Sequence, residues 1–436
     1  MIRFLAILAV ALLAAGAASR GAPAGEFRAG AATRVITPEP LLPISGGMGA
    51  PKQATEKRGE LTVKALVVSD GGGPESTVAL VSVDALGFPG VLGDRVRALV
   101  PRLPPESIVI GASHTHSAPD CYAFPDGKGG HTADLDWLDL VVRRAAEAIN
   151  EAEENARPAM LTVVEGEARG RIAFNYYAPD LYDRRMGVIQ AVGTDGTTIA
   201  TLVNYAIHPE ILGADRGILS PDLIGPMAER IEQRAGGVAL FFNGAQGGMV
   251  TADNRDLDAP SDPVRGYWKD IGTWEECQRV GHTMADEALR LLAEGEQDPA
   301  PQVEARCRDV TFPVDSDDLW GVVCHSPLGY PHDEATRTIT ARLVVLDLGA
   351  ARILTIPGEA LPNVGAYLKR KTGERTFLFG LTNDAFGYIL AEVDFLAFPR
   401  YQYVSRVSLG ERTGTILVDN LLAMVREKPR PPAAAK

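Results

Sequence analysis

Residue types that commonly build redox and metal sites are scarce here: four cysteines and seven histidines in 436 residues. No Cys-x-x-Cys spacing occurs, which argues against a zinc–thiolate cluster. The cysteines are Cys121, Cys277, Cys307 and Cys324. An even number in an exported protein allows two disulfides. Cys307 with Cys324 is the favoured pair because it closes a short, loop-rich segment; buried free thiols are the alternative. Positive charge is short as well, with 43 Lys and Arg against 56 Asp and Glu and a net charge of −13. That balance speaks against a nucleic-acid partner and against long-range attraction to anionic membranes. It leaves open a small-molecule or lipid substrate, with at most peripheral membrane contact. Oligomeric state is not legible.

Long apolar runs are also missing, apart from one at the N-terminus. Met1-Ile2-Arg3 gives a short positive start and Phe4–Ala15 an unbroken apolar stretch, followed by small residues suited to cleavage. Residues 1–19 therefore read as a signal peptide, and the mature protein is expected to be secreted or periplasmic. No later run approaches the roughly 20 residues that span a bilayer. Residues 24–426 are expected to form one large catalytic domain. Residues 427–436, rich in Pro, Ala and Lys, are expected to be a disordered tail.

What is present is an alternation of apolar runs and helical patterns. The expected strands are Thr62–Val68, Thr77–Val83, Ser107–Ala112, Gly187–Val192, Thr198–Ala206, Val238–Phe242, Arg342–Leu348, Ile353–Ile356 and Thr376–Leu381. Their Val, Ile, Leu and Phe content, with little polar alternation, predicts sheets covered on both faces. The expected helices are Asp134–Asn155, Pro221–Arg234, Trp274–Ala293, Pro362–Lys371 and Thr413–Arg426. The fold class is α/β, with mixed β-sheets flanked by helices. The polar stretches Asp253–Gly272 and Asp315–Thr336 read as surface excursions.

Polar residues gather where strands end, the usual place for ligands in α/β sheets. His114-Thr115-His116 follows Ser107–Ala112, and an extended backbone would turn both imidazoles to one face. His208 and Pro209 follow Thr198–Ala206. Asn243-Gly244-Ala245-Gln246-Gly247-Gly248 follows Val238–Phe242, a backbone suited to close approach by a ligand. Glu359 follows Pro357-Gly358, where it can either bind a metal or cap the next helix. Tyr388 lies a few residues beyond Thr382-Asn383-Asp384. Two histidines, a carboxylate and a water, with a phenolate as a further ligand, would suit a catalytic zinc ion.

Four blocks together resemble the neutral/alkaline, non-lysosomal ceramidases. They are Ala112-Ser113-His114-Thr115-His116-Ser117-Ala118-Pro119, Asn204-Tyr205-Ala206-Ile207-His208-Pro209, Pro357-Gly358-Glu359, and Asn383 through Tyr388-Ile389. The resemblance implies one Zn2+ per chain, held by His114, His208, Glu359 and Tyr388. It implies that His116 and a second tyrosine face the substrate. Tyr401 and Tyr403 are the candidates, and Tyr403 is preferred for its spacing to Ser408 and Gly414. Asn243, Gly247 and Gly248 are expected to bind substrate.

The chain departs from that family in three places. Gly247-Gly248-Met249-Val250-Thr251 lacks the aspartate and active-site serine of the family's Gly-Asp-Val-Ser-Pro, and Thr251 is at best a shifted hydroxyl. Asn175-Tyr176 stands where an Asn-Arg pair is expected, although Arg171 and Arg184 are nearby. The family's additional β-sandwich has no counterpart before Lys436, so the resemblance covers the catalytic domain. The expected activity is zinc-dependent hydrolysis of an amide in an N-acyl lipid or related small molecule, with water rather than serine as nucleophile. A zinc esterase and a non-catalytic ligand-binding relative are the alternatives.

Overall fold

The protein is described by a computed structural model covering residues 25–262 and 267–427. The expected signal segment and residues 428–436 of the expected tail lie outside the described residues. Among the described residues no helix is long and apolar enough to cross a membrane.

The β-branched and aliphatic runs build a large mixed sheet. Its order is Val238–Asn243, Thr198–Tyr205, Arg185–Gly193, Arg157–Glu167, Arg28–Val35, Thr62–Ser69, Thr77–Val83 and Ile108–Ala112, with Gln297–Asp298 added beside Arg157–Glu167. The outermost pair at each end is parallel and the rest are antiparallel. A second mixed sheet runs Val303–Pro313, Thr338–Leu348, Ala351–Thr355 and Thr376–Phe379, with His332–Asp333 on the side.

The two sheets pack face to face through Leu66, Leu80, Val109, Leu202 and Phe242 on one side and Val344, Leu346, Ile353, Phe377 and Phe379 on the other. Phe242 and Phe379 stack at 4.1 Å. Each fully buried side chain of this size contributes roughly 2–3 kcal/mol. Helices cover the outer faces, so the layers run helix, sheet, sheet, helix. Helix Leu135–Glu154 is capped by Asp134, whose carboxylate accepts from the Trp137 amide, and it buries Trp137, Leu138, Val141, Val142, Ala145 and Ile149. It lies so close to Arg28–Val35 that a Cβ on Gly30 would meet the Ala152 carbonyl at 2.1 Å.

The large sheet curls until its edges meet. Ser82 Oγ donates to the Phe241 carbonyl at 2.7 Å, and Asn243 Nδ2 to that of Ser113 at 3.3 Å. Asn204 Nδ2 donates to the carbonyls of Phe242, Asn243 and Leu378, joining three strand ends. The seam therefore brings the exits after Ala112, Tyr205, Asn243, Thr355 and Phe379 into one region.

The α/β architecture and the expected strands and helices are present, most within one or two residues; the strand over Arg342–Leu348 begins earlier, at Thr338. Several elements carry no clear sequence signal. Arg28–Val35 is built of small residues, and Val303–Pro313 interleaves charge because one face stays open to solvent. The stretch Asp315–Thr336 corrects the expectation of a surface excursion, since it contains helix Asp317–His325 with Val322 and Val323 buried. Asp253–Gly272 contains a two-stranded hairpin, Arg255–Asp262 with Tyr267–Asp270.

The cysteine pairing is also corrected. All four thiols are free. Cys307 sits among Arg342, Asp309 and Glu106, whereas Cys324 Sγ lies 4.0 Å from His332 Nε2, beside Glu334 and Arg337. The two thiols belong to different neighbourhoods.

Candidate metal centre

Ile108–Ala112 delivers His114 and His116, but not by the extended geometry expected. The strand ends at Ala112, and His114 turns at φ 72°, a left-handed conformation uncommon outside glycine. Residues held this way tend to mark functional sites. The turn is fixed by His114 N–H donating to the Ala85 carbonyl and His116 N–H to that of Pro209. The second of these bonds ties the two histidine-bearing loops together.

Three imidazoles converge. The ligand-capable nitrogens of His114, His116 and His208 all lie within 4.8 Å of one another, a buried group suited to hold a metal ion. His116 Nε2 is 3.3 Å from His114 Nε2. Glu359 Oε2 completes the cluster at 3.1 Å from His208 Nε2 and 3.5 Å from His114 Nε2. Glu359 does not cap the following helix, whose first turn has no side-chain cap.

The donor set fits a cation. His114 Nδ1 lies 2.5 Å from the Leu86 carbonyl and His208 Nδ1 2.8 Å from that of Val250. Carbonyls only accept, so both Nδ1 atoms donate and the Nε2 atoms face the centre. Although burial opposes it, the Glu359 hydrogen bond and the Glu210 and Glu359 charges raise His208 to about 9. Burial raises Glu359, but His114 and His208 outweigh it and hold the carboxyl well below its ordinary range. A bound cation would replace the proton that this carboxylate favours on His208. Burial, then the neighbouring His114, lowers His116 to about 4, so it is neutral at pH 7.

Tyr388 pairs in register with Glu359 through a short parallel bridge, and its buried hydroxyl faces Met249 Sδ at 3.9 Å. Burial raises this phenol well above its ordinary value. Tyr403 stands ring edge to face with Tyr388 at 5.8 Å and lines the cavity over the cluster. Tyr401 instead packs on Tyr177 and Phe398, away from the cavity lining.

None of Asn243, Gly247 and Gly248 lines that cavity. Asn243 bonds the Ile207 amide and carbonyl and the Ser113 carbonyl, bracing both histidine loops. A Cβ on Gly247 would stand 2.2 Å from the Glu359 carbonyl oxygen, so only glycine lets this backbone pass behind the carboxylate. Thr251 is turned to Glu210. Arg171 is bound to Asp253, and Arg184 to Asp180.

Sequence reasoning missed two parts of the site. Glu210 stands behind His116, its carboxylate 3.9 Å from Nδ1; its place two residues beyond His208 was the available signal. The other is an apolar arm. A cavity leads from His114, His116, Glu359, Tyr388 and Tyr403 to Tyr122, Phe124, Leu319, Val322, Val323, Tyr330 and Leu409. Helix Asp317–His325 supplies one wall, which explains why a stretch read as a loop carries buried valines.

The layers and the buried imidazole–carboxylate cluster define a class: a two-sheet α/β protein with a metal-capable centre at the end of an apolar cavity. Among solved structures, this fold is that of neutral ceramidase. The chain aligns with neutral ceramidase from Pseudomonas aeruginosa at a TM-score of 0.74, 15% identity, and coverage of 92% of this chain and 74% of that one. It aligns with a ceramidase complexed with C2 at 0.73, 14% identity, and coverage of 94% and 78%. No protein-family sequence profile matches the chain, and no curated protein matches it in sequence. At these identities the likeness is one of fold.

Proposed function

We propose that this protein is an exported zinc hydrolase that cleaves the amide bond of an N-acyl lipid or a related acylated small molecule. The observation that carries the reading is the apolar arm ending on His114, His116 and Glu359, with His208 directly behind them. An arm of this kind accepts an acyl chain and leaves its carbonyl at the polar end. His114, His208 and Glu359 would hold the zinc ion, with Tyr388 as a further ligand. When bound there, zinc supplies a water of pKa near ~7 and polarises a carbonyl.

The protein's own groups do the rest. Phe124, Val322, Val323 and Leu409 exclude water along the arm and fix the chain, which sets the carbonyl against the cluster. His116 is neutral at pH 7, so its ring can stabilise an oxyanion by donation or hold a proton, with Nδ1 facing the Glu210 carboxylate. The Tyr403 hydroxyl is raised by burial and by Glu359, stays protonated, and is a second donor. Thr251 does not line the cavity, which favours water over a hydroxyl nucleophile.

The test is a panel of N-acyl and O-acyl substrates of graded chain length, assayed with and without a chelator. Chelator-sensitive release of amine from N-acyl substrates is expected. Hydrolysis confined to esters would replace the amide by an ester, and full activity after complete zinc removal would overturn the reading.

A further inference from the structure

The segment Glu392–Tyr403 lies beside the cavity mouth and shows water an unusual set of side chains. Val393 is 83% exposed, and Leu396 and Phe398 are each 61% exposed. Isolated exposed apolar residues are ordinary, but three in one short segment beside a functional opening point to an interaction site. The group continues the site itself. Phe398 packs on Tyr401 and Tyr401 on Tyr177, while Tyr388, Leu390 and Val404 form the cluster against which Tyr177 and Tyr401 rest.

The presentation is enforced. Leu396 adopts φ 53°, a left-handed conformation unfavourable for a non-glycine residue. It is held there by its amide donating to Ser405 Oγ at 2.9 Å. The turn is pinned at Asp394, which accepts from Asn363 Nδ2 at 3.0 Å, and at Glu392, which accepts from Thr415 Oγ1 at 3.1 Å. Both acidic groups are thereby tied down, and from Phe395 to Tyr403 the single charged residue is Arg400.

We propose that Val393, Leu396 and Phe398 form a docking element for the surface of a lipid bilayer, seating the cavity mouth on the lipid. Three such side chains bury roughly 500 Å² at most, short of the ~800 Å² per partner of a stable protein interface. They suit shallow insertion at the headgroup boundary, where each apolar side chain adds to binding without a matched partner. A net charge of −13 does not favour electrostatic capture, so the contact is apolar and independent of anionic lipid. The docking element extends the lipid-amide reading, since it would let a substrate leave the bilayer without crossing water.

The experiment is co-sedimentation of the full zinc-loaded protein with phosphatidylcholine vesicles, with and without anionic lipid. Native protein is compared with Leu396→Asn and with Leu396→Asn/Phe398→Ser. Asparagine tolerates the left-handed conformation, so the first variant keeps the fold, read as an unchanged or raised Tm. The double variant should lose vesicle partitioning by about tenfold or more, while hydrolysis of a water-soluble short-acyl substrate stays at the native level. Equal partitioning of native and variant overturns the proposal, as does the absence of native binding. It is also overturned if the substitutions instead dissolve a dimer seen by sedimentation velocity. Failure of the hydrolase reading would show separately, as no turnover of the soluble substrate with vesicle binding intact.

Discussion

His208 Nε2 and Glu359 Oε2 lie 3.1 Å apart at the centre of the site, with His114 Nε2 3.5 Å from the same oxygen. That single carboxylate oxygen is therefore shared by two imidazoles from different strands of the large sheet. Removing any one of the three groups leaves the others buried and mismatched.

Metal analysis of the purified protein is expected to find about one zinc per chain. His114→Ala and His208→Ala should each lose it, whereas His116→Ala should keep it and lose turnover. Loss of zinc in His116→Ala would make that imidazole a ligand, as its position in the triad allows.

In the metal-free protein the contribution of this cluster to stability, read as native minus variant, should be greatest near pH 6.5. His208 is raised from an ordinary 6.5 to about 9, so its contribution is full below 6.5 and fades as pH rises through 9. His116 is lowered from 6.5 to about 4, which penalises the folded state as pH falls through that window. Glu359, held below its ordinary 4.5, adds stability that is lost on further acidification. Thermal unfolding of chelated protein from about pH 4 to about pH 9.5 checks this. A difference in Tm between native protein and His208→Gln that does not shrink from pH 6.5 to pH 9 contradicts it.

Thr251→Ala should retain activity within about threefold, because the hydroxyl is turned to Glu210 rather than into the cavity. A collapse of kcat with zinc content unchanged would restore a hydroxyl nucleophile.

Val322→Phe narrows the apolar arm. For long-acyl substrates kcat/KM should fall by about tenfold or more, while short-acyl substrates change by less than about threefold. Equal losses across chain length would mean that the acyl group binds elsewhere.

Most of the secondary structure was legible because the strands are continuous β-branched runs and the helices have clear apolar stripes. The exits that carry the candidate ligands could be found for the same reason, since His114, His208 and Glu359 each follow a clear strand. The geometry at His114 was not legible, because a left-handed turn held by the Ala85 carbonyl is a long-range event. The apolar arm was hidden by distance along the chain. Val322 and Val323 sit in a polar stretch and are buried only after helix Asp317–His325 packs against residues brought in from Tyr122 and Phe124. The bracing by Asn243 and the close passage at Gly247 were not legible either, because both depend on segments far apart in the chain.

The seam where the large sheet closes has a consequence for when an ion is acquired. Ile108–Ala112 lies at one edge and Thr198–Tyr205 is next to the other, so an unfinished chain carries every donor but has no centre. Such pairings between distant segments form late in folding. Zinc would then enter a nearly complete molecule and act as a clasp on the curled sheet rather than as a nucleus for it. Stripping the ion should loosen the seam first, seen as faster hydrogen exchange at the Ser113 and Gly244 amides than in helix Leu135–Glu154.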